Sequence, residues 1–310
     1  MKHEYLIGID GGGSYCRAVL QNSNGKLVGE GVSGASNIMS DPQQALQSIV
    51  SACKAAIADA NLSLSLSELV VMAGLAGANI PKAKAYFLSL PMPFKHIHVM
   101  SDLHAACFGA HEGANGGLII CGTGSAATCH IDGTFKDIGG YGLSLGDNGS
   151  AAWLGLQAVK STLLTMDGVH HESALVKQVI EQLQARTASD VVSITSAYKP
   201  SHYGELAPLV TACHEAGCEM ATAIIQEGAR YIHSIINTLN EYYQSFCKTA
   251  GDSSVMPVCV VGGLAQTYIP LLPNNIQQSL CSPKTNAQLG AIGYFSQVDS
   301  ANDRVKESVR

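Results

Sequence analysis

One pattern occurs twice in this chain, and it limits what the chain can fold into. Near the N-terminus, Tyr5-Leu-Ile-Gly-Ile-Asp10 runs into Gly11-Gly-Gly-Ser14, then Tyr15-Cys-Arg-Ala-Val-Leu20, the polar turn Asn22-Ser-Asn-Gly25 and Lys26-Leu-Val-Gly29. Further along, Gly117-Leu-Ile-Ile-Cys121 runs into Gly122-Thr-Gly-Ser125, then Ala126-Ala-Thr-Cys-His-Ile131, the turn Asp132-Gly133 and Thr134-Phe-Lys-Asp-Ile138. Each copy reads as an apolar strand, a hairpin loop of small residues, a second strand, a tight turn and a third strand. Such a loop presents free backbone N–H groups and small hydroxyls, the donors that phosphate oxygens need. Two of them in one chain predict two jaws closing on the phosphates of one nucleotide.

The 310 residues are 46% apolar and 14% charged, enough for one large core or two moderate ones. The formal net charge is −6 and there is no Lys/Arg run, which argues against nucleic acid or an anionic membrane as partner. Met1-Lys-His-Glu-Tyr5 leads straight into a strand pattern with no signal-peptide character, and the apolar stretches are strand-length, so a cytoplasmic protein without a membrane span is expected. The ten cysteines are scattered without a C-x-x-C pair and read as buried thiols in a reducing compartment. Cys213-His214 with Cys218 lacks a second ligand pair and reads as helix rather than metal site.

After the first hairpin the pattern alternates. A helix fits 42–61, with Asp41 as N-cap, Pro42 at the first position, and Ala45, Leu46, Ile49, Val50, Cys53 and Ile57 on one stripe. A strand over 69–73 ends in Gly74-Leu-Ala-Gly77, a helix covers 81–89, and a strand over 96–100 ends in Ser101-Asp102, where another helix opens. The second copy is followed by the glycine-dense loop 139–149, a helix from Ser150, a mostly helical region over 172–247, a buried strand at 258–261 ending in Gly262-Gly263, and a helix over 286–295 with a frayed polar tail from about 297. This is a duplicated two-domain α/β protein with mixed sheets and a cleft between the halves.

Several residues are placed to do chemistry. Asp10 closes a buried strand at the first glycine loop, where a carboxylate can hold Mg²⁺ beside nucleotide phosphates or merely cap the loop. Asp102 stands at a strand end, where α/β sites lie; it can accept a hydroxyl proton, serve as a helix N-cap, or both. Asn37 and Asp147 can bond sugar hydroxyls or their own turns. Gly262 and Gly263 either let a flat ring approach closely or make a turn that needs positive φ.

With those residues in place the chain resembles the BadF/BadG-type ATPases and, within them, the N-acetylglucosamine and glucosamine kinases, of the actin, hexokinase and heat-shock chaperone superfamily. The resemblance spans essentially the whole chain and rests on Gly8-Ile-Asp-Gly-Gly-Gly-Ser14, Gly34-Ala-Ser-Asn37, Gly74-Leu-Ala-Gly77, Ser101-Asp102, Gly122-Thr-Gly-Ser125, Gly139-Gly-Tyr-Gly142, Gly146-Asp-Asn-Gly-Ser150 and Gly262-Gly-Leu264. It implies an actin-like (ribonuclease H-like) fold in two domains. One is residues 1–107, with a C-terminal helix of about 288–310 packing back on it; the other is 108–287. It implies ATP-dependent phosphorylation of the 6-hydroxyl of an amino sugar, N-acetylglucosamine ahead of glucosamine, with domain closure over the sugar. In that picture Gly11, Gly12, Gly13 and Ser14 grip the phosphates with Gly122, Thr123, Gly124 and Ser125, and Gly262 and Gly263 line the adenosine pocket. Asp10 holds Mg²⁺, directly or through water, and Asp102 is the catalytic base. Asn37, Gly77, Asp102, Tyr141 and Asp147 surround the sugar. Relatives are often homodimers.

The chain departs from the family at three places. Ser14 stands where Thr is usual, Tyr141 where Trp is common next to the sugar, and Asn148 where Glu is common. The lost carboxylate at Asn148 leans toward a neutral N-acetyl substituent rather than a free amine. Two other classes compete. An acyl-CoA dehydratase activator would need cysteines placed for an iron–sulfur cluster, which the scattered thiols do not provide. A regulator without catalysis would not need both Asp10 and Asp102.

Overall fold

The computed structural model describes residues 4–247 and 255–308. Contacts divide the chain into two compact units, one of residues 1–116, 130–135 and 282 onward, the other of 117–129 and 136–281.

The first unit is built on five strands: β1 (Tyr5–Gly11), β2 (Cys16–Asn22), β3 (Leu27–Ser33), β4 (Val70–Leu75) and β5 (His96–Ser101), in the order β3-β2-β1-β4-β5. β1, β2 and β3 form an antiparallel meander, whereas β4 and β5 run parallel to β1. Three helices serve as crossovers and cover: α1 (Pro42–Asp59), α2 (Pro81–Leu88) and α3 (Asp102–His111). The sequence signals for α1 hold: the Asp41 carboxylate accepts from Gln44 N–H at 2.9 Å, and Ala45, Ile49, Cys53 and Ile57 are buried. The helix stops two residues earlier than its apolar period suggests, because Asn61 takes a left-handed φ of 53°. Burying Ile49 and Ile57 alone contributes about 3–6 kcal/mol, at about 1.5–3 kcal/mol per side chain.

The C-terminal helix (Ala287–Ser308) packs on α3, β1 and β4. Its crossing with α3 is close: a Cβ on Gly290 would run into the Ala105 carbonyl, and one on Gly109 into the Asn286 carbonyl. The polar tail expected to fray from about 297 continues this helix to Ser308. The first boundary also falls later than the sequence suggests. A cut at 107/108 would divide α3, one continuous helix packed within the first unit, so the chain crosses at 116/117 instead, and again at 281/282 rather than near 287.

The second unit repeats the meander as β6 (Gly116–Cys121), β7 (Ser125–Ile131) and β8 (Thr134–Gly139), joined by β9 (Val258–Val261) in the order β8-β7-β6-β9. β9 runs parallel to β6, as β4 does to β1. Where the first unit has a fifth strand, this unit has one parallel bridge, Val258 to Leu280. The tip of the β7–β8 hairpin, residues 130–135, groups with the first unit, where Phe135 stacks on His104 at 4.1 Å. The helices are α4 (Ala151–Met166), α5 (Ala174–Leu183), α6 (Ala188–Thr195), α7 (Pro200–Gly204), α8 (Ala207–Glu215), α9 (Glu219–Cys247), α10 (Ala265–Tyr268) and α11 (Asn274–Gln277). α9 buries the stripe Ile224, Ile225, Ala229, Ile232, Ile235, Ile236 and Leu239. No helix among the described residues is long and apolar enough to cross a membrane.

Candidate functional site

In the first unit the motif residues meet at the carboxyl ends of the parallel strands β1, β4 and β5, the edge where α/β sheets place ligands. Asp10 is the penultimate residue of β1, opposite Gly74 of β4 and Arg17 of β2. Asp102 follows β5 and opens α3. Ser101 holds the N-cap position without a side-chain hydrogen bond, and Asp102 is the acid of the first turn, so its carboxylate serves the helix end as well as facing the strand edge. Leu103 N–H donates to Asp102 Oδ1 at 2.9 Å and the Ser101 hydroxyl reaches the same atom at 3.4 Å.

Asp10 feels the charge of Asp102. Burial pushes the Asp10 carboxyl above the ordinary carboxylate range, the charge on Asp102 pushes it further, and Arg17, 3.7 Å away, opposes both. Burial also raises Asp102, against the pull of the Leu103 and Ser101 hydrogen bonds. Neighbouring carboxylates raised by burial suit a divalent cation, whose charge would favour the ionised form of both, as Arg17 does for Asp10 and His104 for Asp102.

The hairpin loop is closed by Gly12 N–H donating to the Tyr15 carbonyl at 2.9 Å, while Ser36 N–H donates to the Gly12 carbonyl at 2.9 Å. Its glycines have different reasons to be glycine. A Cβ on Gly11 would lie 2.7 Å from Ser36 Oγ and against Leu75, so packing alone requires that residue. Gly13 has nothing within 4 Å of an added Cβ and no left-handed φ. The fold does not require Gly13; a ligand approaching the backbone would. Ser14 is exposed beside it. Asn37 and Gly77 are adjacent, since a Cβ on Gly77 (φ 85°) would lie 3.0 Å from Asn37 Oδ1. That oxygen accepts from Met39 N–H at 2.9 Å and Ser40 N–H at 3.2 Å, an Asx turn that commits the oxygen and leaves the amide N–H₂ for a ligand.

In the second unit the Gly122-Thr-Gly124 loop joins β6 to β7. Its carbonyls are used internally: Ala151 N–H donates to Gly122 O at 2.8 Å and Ala152 N–H to Thr123 O at 3.1 Å, so this loop covers the first turn of α4. Ser125 is buried and donates its hydroxyl to Asn148 O at 2.8 Å, which pins the glycine-dense loop to β7. Thr123 is exposed. Asp147 is buried with a left-handed φ of 56°; its Oδ1 accepts from Gly142 N–H at 3.2 Å, and a Cβ on Gly124 would lie 2.8 Å from its Oδ2. Burial raises its carboxyl above the ordinary range, against those backbone hydrogen bonds. Tyr141 is 70% exposed, free to meet a ligand.

The adjacent glycines at the end of β9 separate in the same way. Gly262 has φ 101°, and a Cβ there would strike the Cys121 backbone, so the turn explains it. Gly263 is open and conformationally ordinary. It borders a cavity of about 510 Å³ lined also by Gly122, Thr123, Ala207, Pro208, Thr211 and Thr267. This is the size of a small-ligand pocket. The α8 residues in its wall carry no sequence motif and were not foreseen. A larger cavity of about 790 Å³ lies beside α4, α5 and the start of α9 and contains none of the motif residues.

Comparison with known proteins completes the picture. The family model for the BadF/BadG/BcrA/BcrD ATPases matches residues 7–293. Glucosamine kinase GspK of Vibrio cholerae is 30% identical over 291 residues, 94% of this chain and 95% of its own. N-acetyl-D-glucosamine kinase of Dictyostelium discoideum is 26% identical over 259 residues, 77% of this chain and 80% of its own. A Chromobacterium violaceum structure, provisionally named an N-acetylglucosamine kinase, superimposes with a TM-score of 0.81 at 27% identity and covers 95% of this chain and 99% of that one. With two mixed-sheet α/β units of actin-like architecture, the chain belongs to the BadF/BadG/BcrA/BcrD ATPase family.

Proposed function

We propose that this protein transfers the γ-phosphoryl group of ATP to the 6-hydroxyl of an amino sugar, N-acetylglucosamine first. The observation that carries the reading is Asp102, partly buried at a strand end with its Oδ1 held by Leu103 N–H. The sugar O6 forms a bond to the γ-phosphorus as the bond to the ADP oxygen breaks, and the hydroxyl proton passes to Asp102. Asp10 holds Mg²⁺, directly or through water, and the ion when bound supplies charge that offsets the phosphates. Gly13, Ser14, Thr123 and Gly124 donate to phosphate oxygens; Gly12 and Gly122, whose N–H groups close their loops on the Tyr15 and Gly124 carbonyls, and Ser125 act by holding the loops in shape. Gly263, with the 510 Å³ cavity, receives the adenosine, and Gly262 gives the turn its course.

Asn37, Gly77, Tyr141 and Asp147 bind the sugar. Around Gly77 the neighbours are Asn37 and Met39, both neutral, and the nearby Asp41 carboxylate is committed to Gln44 N–H. A neutral acetamido group suits that surface better than an ammonium. Glucosamine is the second reading, favoured by the Vibrio cholerae relative and by Asp147, a carboxylate that can pair with an amine.

The test is ADP release in the presence of ATP and Mg²⁺, with N-acetylglucosamine, glucosamine, glucose and N-acetylmannosamine offered in parallel. A rate far higher with one amino sugar supports the reaction and names the substrate; no sugar-dependent release overturns it. Asp102→Asn should keep ATP binding and lose turnover by roughly 10²-fold or more. An active variant removes Asp102 from the role of base.

A further inference from the structure

Cys259 in β9 and Cys281 beyond α11 hold their sulfurs 3.3 Å apart. The backbone explains why. Val258 and Leu280 form a parallel bridge, and Cys281 N–H donates to Val258 O at 3.0 Å. The next residue on each segment therefore stands beside its counterpart. Neighbouring strands run about 4.8 Å apart, within the range of about 4.4–6.8 Å that disulfide-linked Cα atoms span. A bond of about 2.05 Å requires the sulfurs to close by little more than an ångström.

The two thiols differ in access. Cys259 is buried, and Cys281 is the exposed one of the ten cysteines. Burial and the hydrogen bond with Cys281 push the Cys259 thiol up to about 12, so it stays protonated. Cys281 is the sulfur that solvent reaches.

We propose that Cys259 and Cys281 form a modification site, a dithiol that a hydroperoxide oxidises to an intramolecular disulfide. The Cys281 thiolate attacks the peroxide oxygen; the O–O bond breaks, giving a sulfenic acid and, after protonation, water or an alcohol. The Cys259 sulfur then attacks the Cys281 sulfur and displaces hydroxide, which leaves as water with the Cys259 proton. Two thiols are oxidised and one peroxide is reduced. The closed loop contains Gly263, Leu264 and Thr267, so the bond constrains one wall of the 510 Å³ cavity. This inference is independent of which sugar is phosphorylated.

The full-length reduced protein is treated with hydrogen peroxide and analysed by intact mass and non-reducing peptide mapping. The expected result is the loss of two hydrogen atoms, a cross-linked peptide pair containing Cys259 and Cys281, and reversal by dithiothreitol. Cys281→Ser, an exposed change that the fold should accept, abolishes the cross-link, whereas Cys218→Ser leaves it. Sulfinic or sulfonic acid at Cys281 with Cys259 still reduced, a disulfide between other cysteines, or no oxidation would each overturn the proposal.

Discussion

Replacing Gly13 by alanine separates what the first loop does for the fold from what it does for a ligand. An added Cβ meets nothing within 4 Å, and the residue does not use a left-handed φ. Where backbone and space permit, Gly→Ala stabilises by about 0.4–1 kcal/mol, through the lost freedom of the unfolded chain. At about 2–4 °C per kcal/mol for proteins approaching this size, Tm should stay level or rise by about 1–4 °C. If the loop's N–H groups grip phosphate, the methyl stands in the way of an oxygen. Losing one hydrogen bond to a charged group, about 1.5–3 kcal/mol, weakens nucleotide binding by about ten- to a hundredfold. Gly11→Ala is the contrast: its Cβ runs into Leu75 and Ser36, and overpacking of about 1–3 kcal/mol should lower Tm by several degrees. Thermal unfolding and calorimetric ADP titration read both quantities. A Gly13→Ala protein with normal Tm and unchanged ADP affinity would refute the phosphate role of this loop. One that loses both together would refute the reading that the fold leaves Gly13 unconstrained.

Asp102→Asn should also stabilise the protein. Its carboxyl is raised in the folded state, so ionising Asp102 opposes folding; the Tm gain of the variant is full above the raised folded-state pKa and is lost as the pH falls from there to the unfolded chain's value of about 4, below which the carboxyl is protonated in both states. A Tm series across pH checks this, and a gain that grew on acidification would contradict it. For the same reason the acid limb of the kcat/KM profile should lie above the ordinary carboxylate range of about 4. Gly263→Ala should raise KM for ATP without lowering Tm or changing KM for the sugar, since an added Cβ meets nothing within 4 Å. Gly290→Ala should lower Tm by several degrees, because its Cβ strikes the Ala105 carbonyl across the helix crossing, an overpacking of about 1–3 kcal/mol.

Much of the architecture was legible because it rests on local signals. Strand-length apolar runs stopped by glycine turns gave both meanders, and Asp41-Pro42 with its apolar stripe gave α1. What failed was long-range. Nothing in the sequence around Leu280 says that this segment meets β9 in one bridge, because that depends on which segment reaches β9. The boundary drawn inside α3 failed for a similar reason: α3 is held to the first unit by Gly109 fitting against the C-terminal helix, a contact between residues far apart in sequence. Burial of the cysteines was a fair expectation from apolar surroundings, met by eight of the ten; Cys218 is half-buried and Cys281 exposed.

The site divides along the same line. Asp10 and Asp102 were readable as candidates because a carboxylate ending a buried strand is uncommon, and the structure adds what sequence cannot carry, that burial raises both carboxyls and the charge of Asp102 raises Asp10 further. Ala207, Pro208 and Thr211 were unreadable: they are ordinary residues opening a helix, and they matter because α8 lies over the Gly122 loop and Gly263. The glycines are the sharpest case. In the sequence Gly11 and Gly13 are interchangeable members of one run, and Gly262 and Gly263 of another. In the structure Gly11 and Gly262 are glycine because protein atoms stand where a side chain would go, so mutating them reports on folding. Gly13 and Gly263 have open space at the same position, so the protein alone gives no reason for glycine there. A glycine that the fold does not require is open to a ligand's reason, and the nucleotide is the reason we propose at Gly13 and at Gly263.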